Sequence, residues 1–320
     1  MGMLVEGQWR RDVDTLVDED GRLQRPDSVF RNWVTADGSA GPTGQAGFAA
    51  EPGRYHLYLS RACPWAHRTA IFRELKGLQG MIDISVTHWL MADDGWTFND
   101  APGVIADPVL GAEAVWQIYV ASQPDYSGRV SVPVLWDKTG GVIVSNESAD
   151  IIRMFNSAFD GVGALPGDWY PAPLRERIDA LNERIYEGLN NGVYKAGFAS
   201  SQRAYDQAVA GVFDTLDWLE GVLDGQPWLC GEQQTEADWR LFTTLVRFDA
   251  VYHGHFKCNL RRLVDYPRLW AWTRRLYQHP AVATTIDFDH IKRHYYASHR
   301  HINPTGIVPA GPVLDWRRKD

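Results

Sequence analysis

The 320-residue sequence predicts an α/β domain followed by an all-α domain, with an arm before them and a tail after them. Three observations carry that expectation. Between residues 54 and 155 the pattern runs strand, helix, strand, a long break, then two strands and a helix. From about residue 173 the patterned stretches place apolar residues near i, i+3, i+4 and i+7, the spacing of helices with one buried face. Near residues 160–172 the segment GVGALPGDWYPAP concentrates Gly and Pro, as domain junctions do. The expected divisions are 1–50 for the arm, 51–165 for the α/β domain with an insertion at 88–128, 173–285 for the helical domain, and 286–320 for the tail.

Residues 1–50 are rich in Gly, Asp, Arg and Pro and read as irregular, anchored by Trp9, Phe30, Trp33 and Phe48. RYHLYLS, at 54–60, alternates apolar and polar residues and is rich in β-formers, so it reads as a strand. Cys63 and Pro64 then open WAHRTAIFRELKGL, where apolar residues recur at helical spacing. Pro64 suits a first helical turn, where its missing N–H costs nothing, and Gly77 suits a helix end. IDISVT, at 82–87, is a second strand. Residues 88–128 show little periodicity, and an irregular stretch of that length is usually functional. VPVLW and VIVS flank DKTGG as a hairpin, after which Glu147 and Ser148 open the helical pattern ADIIRMF. Helices follow in PLRERIDALNERIYEGLNNGVY, YDQAVAGVFDTLDWLEGVLDG, ADWRLFTTLVRFDAVYH and YPRLWAWTRRLYQHP. Thr235 and Asp238 bracket the start of the third of these like a capping box, with Asp in the usual Glu or Gln place. The tail contains HYYASHRHINPTGIVP.

Composition narrows the function. Hydrophobic residues make up 45% and charged residues 22%, which describes a folded chain. No stretch approaches the ~20 apolar residues that span a bilayer, and MGMLVEGQWRRDVD has no apolar signal-like region, so no membrane or secretory role is expected. A net charge of −8 disfavours a nucleic-acid partner. Three cysteines without a CxxC pair argue against a disulfide scaffold and fit a reducing, cytoplasmic setting. Seven histidines fall between His253 and His301, with His290 and His294 four apart. HExxH is absent and no carboxylate or CxxC cluster completes a ligand set, so no metal is expected. Neither a GxGxxG nor a Walker motif is present, so no nucleotide cofactor is expected either.

The sharpest chemical signal is Ser60-Arg61-Ala62-Cys63-Pro64-Trp65-Ala66. A cysteine at a helix start faces unpaired N–H groups and the positive end of the helix dipole, which favour the nucleophilic thiolate. Arg61, His67 and Arg68 can add positive charge. Three residues beyond Cys63 stands Ala66 and not a second cysteine, so an oxidised Cys63 needs an external small thiol to regenerate it. A buried inert cysteine is the competing reading. Cys230 and Cys258 lack the helix-start context and read as structural. On their residues alone, Glu147 and Ser148 fit an N-cap as well as a ligand site, and Tyr194 and Tyr252 fit ordinary packing tyrosines.

This arrangement resembles the glutathione transferases: a thioredoxin-like domain followed by an all-helical one. CPWAHR, the GWTF insertion, RVSVPVLWDK and the tail YYASHRHINPTGIVP are similar to the glutathionyl-hydroquinone reductases, the xi class, over nearly the whole chain. The resemblance implies Cys63 as nucleophile and a cis bond between Val132 and Pro133 whose neighbouring backbone binds the cysteinyl part of glutathione. It implies Glu147 and Ser148 at the γ-glutamyl end, with Trp96, Arg129, Val130, Ser131 and Val132 completing that site. It also implies Tyr194 as proton donor to the leaving ring, with Tyr252 and Tyr295 near the thiolate or the quinol oxygens. Glutathione is then co-substrate, a glutathionylated aromatic is the substrate, and the protein is a homodimer. The expected activity is glutathione-dependent reduction of S-glutathionyl-hydroquinones. An omega-like thioltransferase or dehydroascorbate reductase, which needs Cys63 but not the tyrosines, is the alternative. A non-catalytic interaction module, which would have lost the nucleophile, is a third.

Overall fold

A computed structural model describes residues 2–11 and 17–318. The described residues fall into two compact units. One takes those within Met1–Asp14, Pro26–Gly167 and Thr285–His290; the other those within Thr15–Arg25, Asp168–Thr284 and Ile291–Asp320.

The first unit begins with an antiparallel pair, β1 (Met3–Val5) and β2 (Gln8–Arg10), joined by Glu6 and Gly7, both at positive φ. Positive φ at both turn residues matches the strand twist of a two-residue hairpin. Strands of three residues carry too little pattern to be read from sequence, so the arm is less irregular than expected. Trp9 does act as an anchor: it stacks on Trp116 with ring centroids 6.2 Å apart and donates its indole N–H to the Asp93 carbonyl at 2.9 Å.

The main sheet is formed by β3 (Tyr55–Leu59), β4 (Ile82–Val86), β5 (Val134–Asp137) and β6 (Val142–Ser145), in the order β4-β3-β5-β6. β3 runs parallel to β4 and antiparallel to β5, and β5 and β6 form the hairpin. A parallel neighbour requires a crossover, supplied by helix α1 (Pro64–Leu75). α1 ends where Gly77 takes φ 63, and a Cβ there would lie 2.7 Å from Leu165 Cγ, so the position needs glycine twice over. Every residue of β3 is buried, so its alternation does not mark an inner and an outer face. Its polar groups are paired instead: His56 Nε2 with Ser85 Oγ at 2.8 Å, and the Tyr58 hydroxyl with Asp107 at 2.9 Å. Burial pushes the His56 pKa down to about 4, so the ring is neutral.

The insertion holds a helix that periodicity did not reveal, α2 (Val115–Ser122). Its start is capped by Gln117, whose Oε1 accepts the Glu113 and Ala114 N–H groups at 2.7 and 3.0 Å. The hairpin leads into α3 (Ser148–Ser157).

The second unit is helical, with α4 (Arg175–Ile185), α5 (Gly192–Gly197), α6 (Gln202–Val222), α7 (Glu236–Arg247), α8 (Pro267–Tyr277) and α9 (Pro280–Ala283). The stretch expected as one helix through 173–194 is broken by a π-helical segment, Tyr186–Asn190, and a second, Phe248–Tyr252, follows α7. Asp238 fills the capping role: its carboxylate accepts the Thr235 N–H at 2.9 Å, the Leu229 N–H at 3.0 Å and the Trp272 indole N–H at 3.2 Å. The region read as a tail opens with α10 (Phe288–Ser298). No helix among the described residues is long and apolar enough to cross a membrane.

Candidate active site

Cys63 is the N-cap of α1, at φ −75 and ψ 121, with Pro64 in the first turn. It is 8% exposed, and its thiol donates to the Val132 carbonyl at 3.5 Å. The peptide bond between Val132 and Pro133 is cis. A cysteine at a helix start and a backbone edge 69 residues away in sequence therefore meet. The other two cysteines are buried and free. Burial raises the Cys230 pKa and pushes that of Cys258 up to about 12, so neither favours a thiolate.

The cations expected around Cys63 are directed elsewhere in part. Arg68 donates to Ser148 Oγ at 3.4 Å and stacks over the Trp65 ring at 4.5 Å, while His67 Nε2 pairs with Thr285 Oγ1 at 2.8 Å. Arg68 thus ties α1 to the start of α3. There Glu147 is the N-cap, its Oε1 accepting the Ala149 N–H at 2.9 Å and its Oε2 accepting the Ser28 hydroxyl at 2.9 Å. Ser148 is buried in the first turn.

Ser131 is held by Tyr119, whose hydroxyl pairs with both its carbonyl and its N–H. The Arg129 carbonyl accepts the Tyr126 hydroxyl at 3.1 Å, and Val130 between them is half-buried. Trp96 is buried in the insertion, with its carbonyl accepting the Val115 N–H at 2.8 Å. Sequence reasoning missed Tyr119, Asn146, Ser28 and the Arg31–Asp150 pair, in which Arg31 Nε and Nη2 grip the α3 carboxylate at 2.5 and 2.9 Å. Asn146 and Asp150 adjoin Glu147 and Ser148 in the sequence, but only folding brings Tyr119, Ser28 and Arg31 to this end of α3.

In the second unit the three tyrosines meet. The Tyr295 hydroxyl is 2.5 Å from that of Tyr194 and 3.2 Å from that of Tyr252. Tyr252 and Tyr295 are fully buried, whereas Tyr194 is half-buried. Burial, reinforced by the two neighbouring phenols, raises the Tyr295 pKa well above that of a free phenol, so it holds its proton. Arg25 lies over the Tyr194 ring at 5.2 Å and donates to Asn191 Oδ1 at 2.9 Å. Behind the cluster His255 Nε2 and His299 Nδ1 pair at 3.2 Å, both kept neutral by burial, with the His255 pKa near 3. No group of three or more His, Cys, Asp or Glu among the described residues is arranged to hold a metal.

A four-stranded mixed sheet with a cysteine opening its first helix, followed by a helical unit, is the arrangement expected of a glutathione transferase. The N-terminal domain model of the glutathione S-transferases matches residues 62–158, and their C-terminal domain model matches 202–275. The chain is 56% identical to the glutathionyl-hydroquinone reductase YqjG of Escherichia coli over 98% of its own length and 96% of the relative's. It is 53% identical to the glutathionyl-hydroquinone reductase PcpF of Sphingobium chlorophenolicum, covering 98% of this chain and 97% of that one. The glutathione-bound structure of YqjG superposes with a TM-score of 0.92 at 54% identity, over 99% of this chain and 97% of that one. The chain belongs to the glutathionyl-hydroquinone reductase family of the glutathione transferases.

Proposed function

We propose that the protein reduces S-glutathionyl-hydroquinones to hydroquinones with glutathione as co-substrate. The Cys63 thiolate attacks the conjugate's sulfur. A sulfur–sulfur bond forms, the aryl carbon–sulfur bond breaks, and its electron pair passes to the ring carbon, which takes a proton from the tyrosine cluster. Hydroquinone leaves, and Cys63 remains as a mixed disulfide with glutathione. A second glutathione thiolate attacks the glutathionyl sulfur, releasing oxidised glutathione and the Cys63 thiolate. One conjugate and one glutathione thus yield one hydroquinone and one oxidised glutathione.

The observation that carries this reading is the meeting of the Tyr194, Tyr252 and Tyr295 hydroxyls. A carbon leaving group needs a general acid; a thiolate leaving group needs little help. Half-buried Tyr194 is the donor we favour, with buried Tyr295 holding its hydroxyl. An omega-like thioltransferase requires only Cys63 and leaves the three phenols without a role.

In the glutathione site, the backbone of Val132 beside the cis bond pairs with the cysteinyl part, and Glu147, Ser148 and the first N–H groups of α3 take the γ-glutamyl end. Arg129, Val130, Ser131 and Trp96 complete its wall. We further infer a cytoplasmic homodimer, following the family resemblance. The deciding experiment is mass spectrometry after mixing the protein with a glutathionyl-hydroquinone. A glutathione adduct on Cys63 together with free hydroquinone is the expected result; hydroquinone released without an adduct overturns the covalent scheme.

A further inference from the structure

We infer that Tyr119, on α2 of the insertion, is the positioning residue for the glutathione-binding backbone, an inference that rests on the glutathione site proposed above. Its hydroxyl has every hydrogen-bonding capacity filled. It donates to the Ser131 carbonyl at 3.0 Å and accepts the Ser131 N–H at 3.2 Å and the Asn146 amide N–H at 3.0 Å; Ser131 Oγ lies 3.4 Å away.

A group that takes both the N–H and the C=O of one residue pins the peptide planes on either side of that residue. The second of those planes joins Ser131 to Val132. The next carbonyl, that of Val132, accepts the Cys63 thiol at 3.5 Å. One phenol therefore sets, through a single intervening residue, both the edge along which the cysteinyl part of glutathione would lie and the acceptor of the nucleophile. The network also reaches the γ-glutamyl end. Asn146 accepts the Phe30 N–H through Oδ1 at 3.2 Å, and Glu147 is the next residue.

The phenol is itself fixed. Its ring meets Phe30 edge-on, with centroids 5.6 Å apart, and Tyr126 at 5.2 Å. It is wholly buried, and burial raises its pKa, so it remains a protonated donor. The insertion thus earns its place beside the sheet through one hydroxyl.

Tyr119→Phe in the full-length protein removes that oxygen and keeps the ring. Calorimetric titration with glutathione should give about tenfold weaker binding, as expected when buried donors lose their acceptor. The KM for glutathione should rise in parallel while kcat at saturating glutathione stays within about twofold, the split expected of a lost positioning contact. Tyr55→Phe removes a buried phenol outside this network, one that donates to the Ala49 carbonyl at 2.6 Å, and should keep the unaltered affinity. Adding Asn146→Ala to Tyr119→Phe should weaken binding by less than the two single losses combined, because both act through one hydroxyl. Unchanged affinity in Tyr119→Phe, or an equal loss in Tyr55→Phe, overturns the assignment. Failure of the unaltered protein to bind glutathione overturns the site reading instead, and this inference with it. Should Tyr119→Phe not fold, Asn146→Ala decides alone: weaker binding supports the network, and unchanged binding overturns it.

Discussion

Cys63 differs from the two other cysteines in one respect that chemistry can read. All three are buried, but Cys63 caps a helix, whereas for Cys230 and Cys258 burial raises the pKa. Treating the folded protein with a small alkylating reagent at neutral pH should therefore modify Cys63 alone, as peptide mapping would show; comparable labelling of Cys258 would contradict the burial argument. Cys63→Ser should abolish turnover with the fold intact, because a serine hydroxyl stays protonated near neutrality. Tyr194 offers a sharper discrimination. Tyr194→Phe removes the proton and keeps the ring stacked on Phe198 at 6.3 Å. A general acid contributes ~10²–10⁴ in rate where the leaving group needs it, so turnover of a glutathionyl-hydroquinone should fall by about that factor. Reduction of a small mixed disulfide should stay near normal. Equal losses on both substrates would make Tyr194 structural or glutathione-binding, and no loss on either would pass the acid role to Tyr252 or Tyr295.

The two π-helical segments lie where periodicity reading fails. Each adds a residue to a turn and so rotates every later side chain by about 100° relative to an unbroken helix. One precedes the helix that carries Tyr194, and the other ends on Tyr252. The apolar spacing in 173–194 and 237–253 made helices legible, but not which way these tyrosines point. Helix α7 illustrates the opposite case, because its start was readable as Thr235 and Asp238. Asp238 is fully buried and satisfies donors from Leu229, Thr235 and Trp272, so it joins three stretches of chain. Asp238→Ala leaves those donors without an acceptor, each at a cost of ~1–3 kcal/mol. We expect a loss of about 3–5 kcal/mol in unfolding free energy, the range for a broken buried network, measured by denaturant titration. A loss below ~1 kcal/mol would mean that water replaces the carboxylate.

For the whole molecule, the proposed scheme has a covalent glutathionyl intermediate that separates the two substrates in time. Initial-rate plots should give parallel double-reciprocal lines, and intersecting lines would count against the mixed disulfide. Light scattering at micromolar concentration should give the mass of a dimer; a monomer mass would remove the subunit arrangement expected from the family.

What the sequence determined by itself was local in origin. The strand before Cys63, Pro64 in a first helical turn, the Gly77 stop, the DKTGG hairpin and the Thr235 cap each follow from short-range sterics and hydrogen bonding, which neighbouring residues alone decide. The candidate site residues Tyr194, Tyr252 and Tyr295 came from resemblance, because nothing nearby distinguishes a candidate acid from a packed tyrosine. Tertiary structure alone decided that their hydroxyls meet, that Arg68 serves Ser148, and that β3 is buried along its full length. It likewise placed helix α2 in the insertion and set Tyr119 against Ser131 and Asn146. The physical reason is burial. A hydroxyl removed from water takes whichever partner the packed chain brings within about 3 Å, and those partners lie 12 and 27 residues from Tyr119 and 43 and 101 from Tyr295, beyond the reach of any local pattern.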